Sequence, residues 1–155
     1  MLQKNTIAPD FDLPNQSGET ISLSHFKGNK NVVLYFYPKD DTPGCTLEGQ
    51  QFTALIEKFS ANETVVIGAS KDDCASHQSF IDKFALKVDL ISDTTGELCE
   101  KYGVWQEKEK NGVKKMGIVR STFIIDKKGN LVDVEYAVSA DGHAQAVLDK
   151  VSKIN

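Results

Sequence analysis

The stretch "YPKDDTPGCTLEGQQF", Tyr37 to Phe52, places one cysteine where an apolar run gives way to a helical pattern. A disulfide-exchange site of the C-x-x-C kind would put a second cysteine three residues before Cys45, and that position holds Thr42. The site suits a reactive sulfur without an adjacent sulfur partner. If a helix begins at Pro43, a residue type favoured in the first turn, Cys45 lies among unpaired backbone N–H groups at the positive end of the helix dipole. A free thiol ionises near ~8.5, and such a position favours the thiolate, the form that acts as a nucleophile. The competing reading of Cys45 is a small buried residue at a strand-to-helix junction. Pro38 and Thr42 are hard to explain by packing alone.

The second candidate is a lone guanidinium. Of the 18 basic residues only Arg120 is arginine. It stands in the otherwise apolar "GIVRSTFIID", read here as a strand. A planar fork with five donors holds an anion in a way that lysine cannot reproduce. A structural salt bridge with an acid such as Glu48 is the alternative. Strand pairing at the core would bring position 120 close to the helix that carries Cys45.

The elements that must position these residues alternate in type. "NVVLYFY" (31–37) and "TVVIGAS" (64–70) are near-continuous β-branched and aromatic runs, as expected of parallel strands covered on both faces. Between them Phe52, Leu55, Ile56 and Phe59 fall at i, i+3, i+4 and i+7, which predicts a helix from about Pro43 to Ser60. A second helix follows "SKDD", where Ser70, Asp72 or Asp73 can cap, with Cys74, His77, Phe80, Ile81 and Phe84 on one stripe. "VDLIS" reads as a short strand and "TTGELCEKYGV" as a short helix. "VRSTFIIDKKGNLVDVEYAV" reads as a hairpin turning at Gly129 and Asn130. A last helix carries Ala144, Val147, Leu148, Val151 and Ile154 on its apolar side, and "FDLPNQSGETISL" forms a small hairpin turning at Ser17-Gly18. The order β-α-β-α-β…β-β-α is that of an α/β, thioredoxin-like fold, with a central mixed sheet flanked by helices, an N-terminal β-hairpin extension and an inserted strand and helix.

Composition bounds what this scaffold can do. A chain of 155 residues with 40% hydrophobic content suits one domain spanning 1–155, large enough to bury a core without a structural metal. A formal charge of −4 and the lack of a basic patch argue against nucleic acid as a partner. No run approaches the ~18 apolar residues of a membrane span. "MLQKNTIAPDFDL" has no charged region followed by a long apolar stretch, so the expected location is cytoplasmic. Three cysteines without a secretory signal suggest thiols that are reduced at rest.

Pro38, Thr42 and Cys45 stand in the spacing P-x-x-x-T-x-x-C, and "YFYPKDDTPGCTLE" resembles the active-site segment of peroxiredoxins of the bacterioferritin comigratory protein (peroxiredoxin Q) group. "APDFDLPNQSGETISLSHFKG", "SDTTGELCEKYGVW" and "IVRSTFIIDKKGNLV" resemble corresponding segments of that group, so the likeness runs over the whole chain. It implies an antioxidant thiol peroxidase that reduces hydrogen peroxide and organic hydroperoxides through a sulfenic acid on its redox-active cysteine. By the resemblance Cys45 is that peroxidatic nucleophile, Thr42 donates a hydrogen bond to the peroxide, Pro38 shields the sulfur, and Arg120 stabilises thiolate and peroxide. It further implies a monomer, no haem, flavin or metal, and a reducing thiol partner such as thioredoxin, glutaredoxin or glutathione. Two rival functions use the same scaffold: thiol-disulfide exchange, which the missing C-x-x-C pair opposes, and a non-catalytic redox-sensing or chaperone-like binding module.

The chain departs from the group in how the sulfur is recycled. Members often carry a resolving cysteine five residues after the first or in the following helix, and these positions hold Gln50 and, by our alignment, Ile81. Cys74 and Cys99 remain as internal candidates beside an external thiol. Cys74 also reads as a core residue, and Cys99, between Leu98 and Tyr102, reads as packing. The expectation leans to the external route. Cys74 and His77 have a spacing that could hold a metal, but zinc needs three or four ligands and only His25 and His143 remain as nitrogen donors. Asp40-Asp41 and Asp72-Asp73 read as loop solvation and helix capping, and Trp105 with Tyr102 as packing beside a turn.

Overall fold

A computed structural model describes residues 1–154. Its centre is a five-stranded mixed sheet in the order β5-β4-β3-β8-β9. These strands are β3 (Asn31–Phe36), β4 (Thr64–Ser70), β5 (Asp89–Ser92), β8 (Ser121–Ile125) and β9 (Leu131–Glu135). The first three run parallel, and β8 pairs antiparallel with both β3 and β9. Side chains alternate across a pleated strand. Val32, Leu34 and Phe36 therefore enter one core and Val33, Tyr35 and Tyr37 the other. The second core receives the helices α1 (Pro43–Ala54), α2 (Ile56–Ala61), α3 (Cys74–Phe84) and α5 (His143–Val151). The first is closed by α4 (Glu97–Lys101) and by Phe11 and Leu23, which flank the small hairpin of β1 (Asp12–Pro14) and β2 (Thr20–Ser22). This is the thioredoxin-like arrangement expected from the element order.

Four features differ from the expectation. The helix predicted over 43–60 is broken at Leu55 into α1 and α2. Positions 52 and 59 would lie ~10 Å apart along a straight helix, whereas the break accompanies Phe52 and Phe59 packing with ring centroids 5.8 Å apart, both fully buried. The C-terminal helix ends at Val151, leaving Ile154 beyond it and 38% exposed. Arg120 lies outside any strand, in the two-residue link that leads into β8. A hairpin of β6 (Trp105–Lys110) and β7 (Val113–Ile118), which the sequence reading did not assign, projects from the sheet. Most of it is exposed on both faces. It therefore lacks the apolar alternation that marks a half-buried strand. Its one legible signal is the turn Asn111-Gly112, both with positive φ, which favours a tight hairpin.

Candidate active site

The site forms where β3 ends and α1 begins. Strand β8 runs beside β3 with Ser121 opposite Phe36, so the residue just before β8 arrives at the exit of β3. Sequence positions 45 and 120 thereby meet. Arg120 Nη2 donates to Cys45 Sγ at 3.3 Å, and Nη1 donates to Glu48 Oε1 at 2.7 Å. Gly44 permits this approach, since a Cβ there would stand 3.0 Å from Arg120 Nη2.

Cys45 is the third residue of α1, after Pro43 and Gly44. Helix geometry leaves the first N–H groups of such a turn without intrahelical acceptors, and Pro43 has none to offer. Cys45 is 2% exposed and belongs to the aromatic core with Tyr35 and Tyr37. Thr42 is the N-cap in extended conformation, and its carbonyl accepts from the N–H of Thr46 at 2.8 Å. Its hydroxyl donates to the carbonyl of Lys39 at 2.8 Å. Pro38, half-buried, follows Tyr37 at the end of the β3 run.

Glu48 was legible in the sequence only as a salt-bridge partner of Arg120. One turn after Cys45 on α1, it is fully buried, and its Oε2 has no hydrogen-bond partner among the described residues. Burial pushes its carboxyl up from 4.5 to about 7, against the pull of Arg120. Burial alone would lower Arg120, but Glu48 and Cys45 outweigh it and the guanidinium is held firmly charged. A charge-assisted pair this well enclosed fixes the fork in one orientation. One guanidinium nitrogen is spent on the carboxylate and another is aimed at the sulfur.

The other two cysteines lie elsewhere, and all three are free thiols. Cys99 is fully buried on α4, its backbone N–H donating to Asp93 Oδ2 at 2.8 Å. Burial, with Asp93 beside it, pushes its thiol far above the ordinary range. A thiol that does not ionise is a poor nucleophile. Cys74 opens α3 and is half-exposed, whereas the stripe reading made it a core residue. The core positions on that stripe are His77 and Phe80. Gln50 is exposed on α1, and Ile81 is half-buried on α3.

Of the paired aspartates, Asp73 matches the capping expectation and Asp40 departs from loop solvation. Asp73 caps α3 by accepting from the N–H of Ser76 at 2.8 Å. Asp40 is buried, not solvated: it accepts from the Tyr37 hydroxyl at 2.5 Å and from the Ser76 hydroxyl at 2.8 Å, and it contacts His77 Nδ1 at 2.8 Å. Asp72 accepts from the N–H of Asp40 at 2.9 Å and from the Ser70 hydroxyl at 2.7 Å. The burial of Asp40 depends on tertiary pairing between the 38–42 loop and the start of α3, which local sequence does not reveal.

The chain is similar to known proteins over most of its length. Residues 5–134 match the AhpC/TSA family. The Bcp protein of Helicobacter pylori strain J99 is 45% identical over 150 residues, covering 97% of this chain and 98% of its own. Peroxiredoxin Bcp of Bacillus subtilis is 41% identical over 148 residues, covering 96% and 94%. The bacterioferritin comigratory protein of Xanthomonas campestris, whose trapped-intermediate and ligand complexes bear on its alkyl peroxide reduction, superposes with a TM-score of 0.88 at 36% identity, covering 93% of this chain and 91% of that one. A sulfur free of a C-x-x-C partner, bonded by a part-buried guanidinium beside a thioredoxin-like sheet, together with these matches, makes the chain a member of the AhpC/TSA family, within its Bcp/PrxQ peroxiredoxins.

Proposed function

We propose that Cys45 is the peroxidatic sulfur of a peroxidase acting on hydrogen peroxide and small organic hydroperoxides, with Arg120, Thr42 and Pro38 around it. The chain is a thiol-dependent peroxidase. The observation that carries the assignment to Cys45 is the pair of bonds from Arg120, one to Sγ and one to buried Glu48. The thiolate attacks one peroxide oxygen, forming an S–O bond as the O–O bond breaks. The sulfur is oxidised by two electrons, and the leaving oxygen takes a proton to become water or an alcohol. Negative charge moves from sulfur toward the leaving oxygen, so a fixed guanidinium acts in the transition state more than in the ground state. Thr42 joins by turning its hydroxyl from the Lys39 carbonyl to the bound peroxide. The product on the enzyme is the Cys45 sulfenic acid.

Recycling proceeds by attack of an external thiol, from glutathione, glutaredoxin or a thioredoxin-type protein, on the sulfenic sulfur. Water leaves, a mixed disulfide forms, and a second thiol releases Cys45. The occupation of positions 50 and 81 by Gln50 and Ile81 and the buried, un-ionised Cys99 support this reading. Cys74 is the internal alternative. A cytoplasmic location and a monomeric state belong to the same proposal, and sedimentation equilibrium checks the monomer.

The test is intact mass after one equivalent of peroxide, with peroxide consumption measured beside it. Gain of one oxygen at Cys45, and loss of consumption in Cys45→Ser, are the expected results, since a serine hydroxyl does not ionise near neutral pH. Retention of more than a few per cent of the rate in Cys45→Ser would sink the assignment. Insulin reduction assayed in parallel would reveal disulfide exchange instead.

A further inference from the structure

The loop from Pro38 to Thr42 joins β3 to α1 and carries two of the residues assigned to the reaction. Within it the Thr42 hydroxyl donates to the Lys39 carbonyl. Asp41 sits at φ 57, a left-handed conformation that costs an aspartate about 1 kcal/mol. Its ion pair with Lys83 is solvent-exposed and so holds it weakly. The residue that ties the loop down is Asp40, which turns inward and is 7% exposed.

Asp40 is held by α3, by the turn just before it and by the end of the β3 run. Its backbone N–H donates to Asp72, and its carboxylate meets Tyr37, Ser76 and His77. His77 is fully buried, and its second nitrogen, Nε2, lies 3.0 Å from the carbonyl of Ile91 on β5. A carbonyl oxygen only accepts, so Nε2 carries a hydrogen. The Tyr37 hydroxyl, kept protonated by burial and by Asp40, has its single hydrogen on Asp40 Oδ1. The contact between His77 Nδ1 and Asp40 Oδ2, closed to water, therefore needs a hydrogen of its own, with the Tyr37 oxygen 3.3 Å from the same nitrogen. Through it a loop residue is linked to β5 by way of α3.

We propose that His77 is a positioning residue for the peroxide reaction: its Nδ1 bond to Asp40 sets the 38–42 loop so that Thr42 and Pro38 stand correctly beside Cys45. The proposal rests on Cys45 being the reacting sulfur. Neither Asp40 nor His77 touches the substrate in this account. Their effect reaches the reaction through the loop between them and Thr42, and misplacement of a donor by about 1 Å is enough to slow such a step.

Two substitutions separate the ring's two bonds. In His77→Asn the amide nitrogen falls near the place of Nδ1 and keeps a donor for Asp40. In His77→Gln it falls near Nε2, keeping a donor for Ile91 and losing the one for Asp40. Steady-state kinetics with hydrogen peroxide and dithiothreitol give kcat/KM for each substrate separately. His77→Gln should lose about tenfold or more in kcat/KM for peroxide, and His77→Asn should stay within about threefold of the parent. Asp40→Asn should behave like His77→Gln. In all three, kcat/KM for dithiothreitol should change by less than about twofold. Equal losses in the Asn and Gln variants of His77, no loss in either, or equal losses for both substrates would overturn the proposal. So would loss of the far-UV dichroism of either variant at the assay temperature, because the bond would then serve stability alone. An error in the assignment of Cys45 shows separately, as retained peroxide consumption by Cys45→Ser.

Discussion

Buried Glu48 and part-buried Arg120 pair at 2.7 Å, and the pair leaves Nη2 of the same guanidinium 3.3 Å from Cys45 Sγ. The carboxylate thus decides where the cation points. Orientation, more than charge, is what the pair supplies.

Arg120→Lys keeps the charge and should still lose about a hundredfold or more in the rate of Cys45 oxidation, because a point-charge ammonium cannot bond Glu48 and the sulfur through two nitrogens in one plane. Rapid-mixing measurement of oxidation by hydrogen peroxide checks this. A rate within threefold of the parent would show that the fork is dispensable.

Glu48 gives a pH dependence whose sign is fixed. Its carboxyl is raised from 4.5 to about 7 by burial, against Arg120. A raised folded value means that the fold prefers the protonated carboxyl. That contribution is fully present below about pH 4.5 and is lost as the pH rises through about 7. Over this window the effect on stability is at most about 3 kcal/mol. Urea midpoints of the parent and Glu48→Gln at pH 5 and pH 7.5 should show the parent losing stability relative to the variant at the higher pH. Parallel curves for the two proteins would refute the assignment.

Thiol reactivity should rank by exposure and ionisation. In the native protein iodoacetamide should label Cys74 readily and Cys99 only after denaturation, since Cys99 is buried and its thiol is pushed far up. Cys99→Ser and Cys74→Ser should both retain turnover with an external thiol. A Cys45 disulfide with either residue after peroxide treatment, together with lost turnover in the matching serine variant, would make that cysteine the resolver.

Gly68 on β4 leaves room for Tyr35. A Cβ at 68 would stand 2.7 Å from Leu90 Cδ2 and 2.8 Å from Tyr35 Cζ, and Tyr35 in turn stacks on Phe52 with centroids 4.6 Å apart. Gly68→Ala should therefore destabilise the protein by about 1–3 kcal/mol, read as a lowered urea midpoint. An unchanged midpoint would mean that the Tyr35 ring has slack to give.

The sequence made the Cys45 and Arg120 encounter legible for two separate reasons. One sulfur stood at a strand-to-helix junction, and one arginine survived in a chain otherwise served by lysine. The central strands were legible because burial on both faces leaves an unbroken apolar run. The β6–β7 hairpin was not, because exposure on both faces removes any pattern. Arg120 was placed in a strand because the apolar run continues through it, yet pairing begins one residue later, at Ser121. Asp40 and His77 were missed for a different reason. Each has an ordinary local role, in a loop and on a helix stripe, and the bond between them spans 37 positions that only the folded sheet brings together.

The 2% exposure of Cys45 divides its chemistry by the size of the visitor. Peroxide is little larger than water and can arrive while the first turn of α1 is closed, but glutathione, a protein thiol or Cys74 cannot align on a sulfur enclosed in that way. Whichever of them does the recycling, the same local opening must come first. Alkylation of Cys45 by reagents of increasing bulk would then converge on one ceiling, the opening rate, and that ceiling would also limit turnover at saturating reductant.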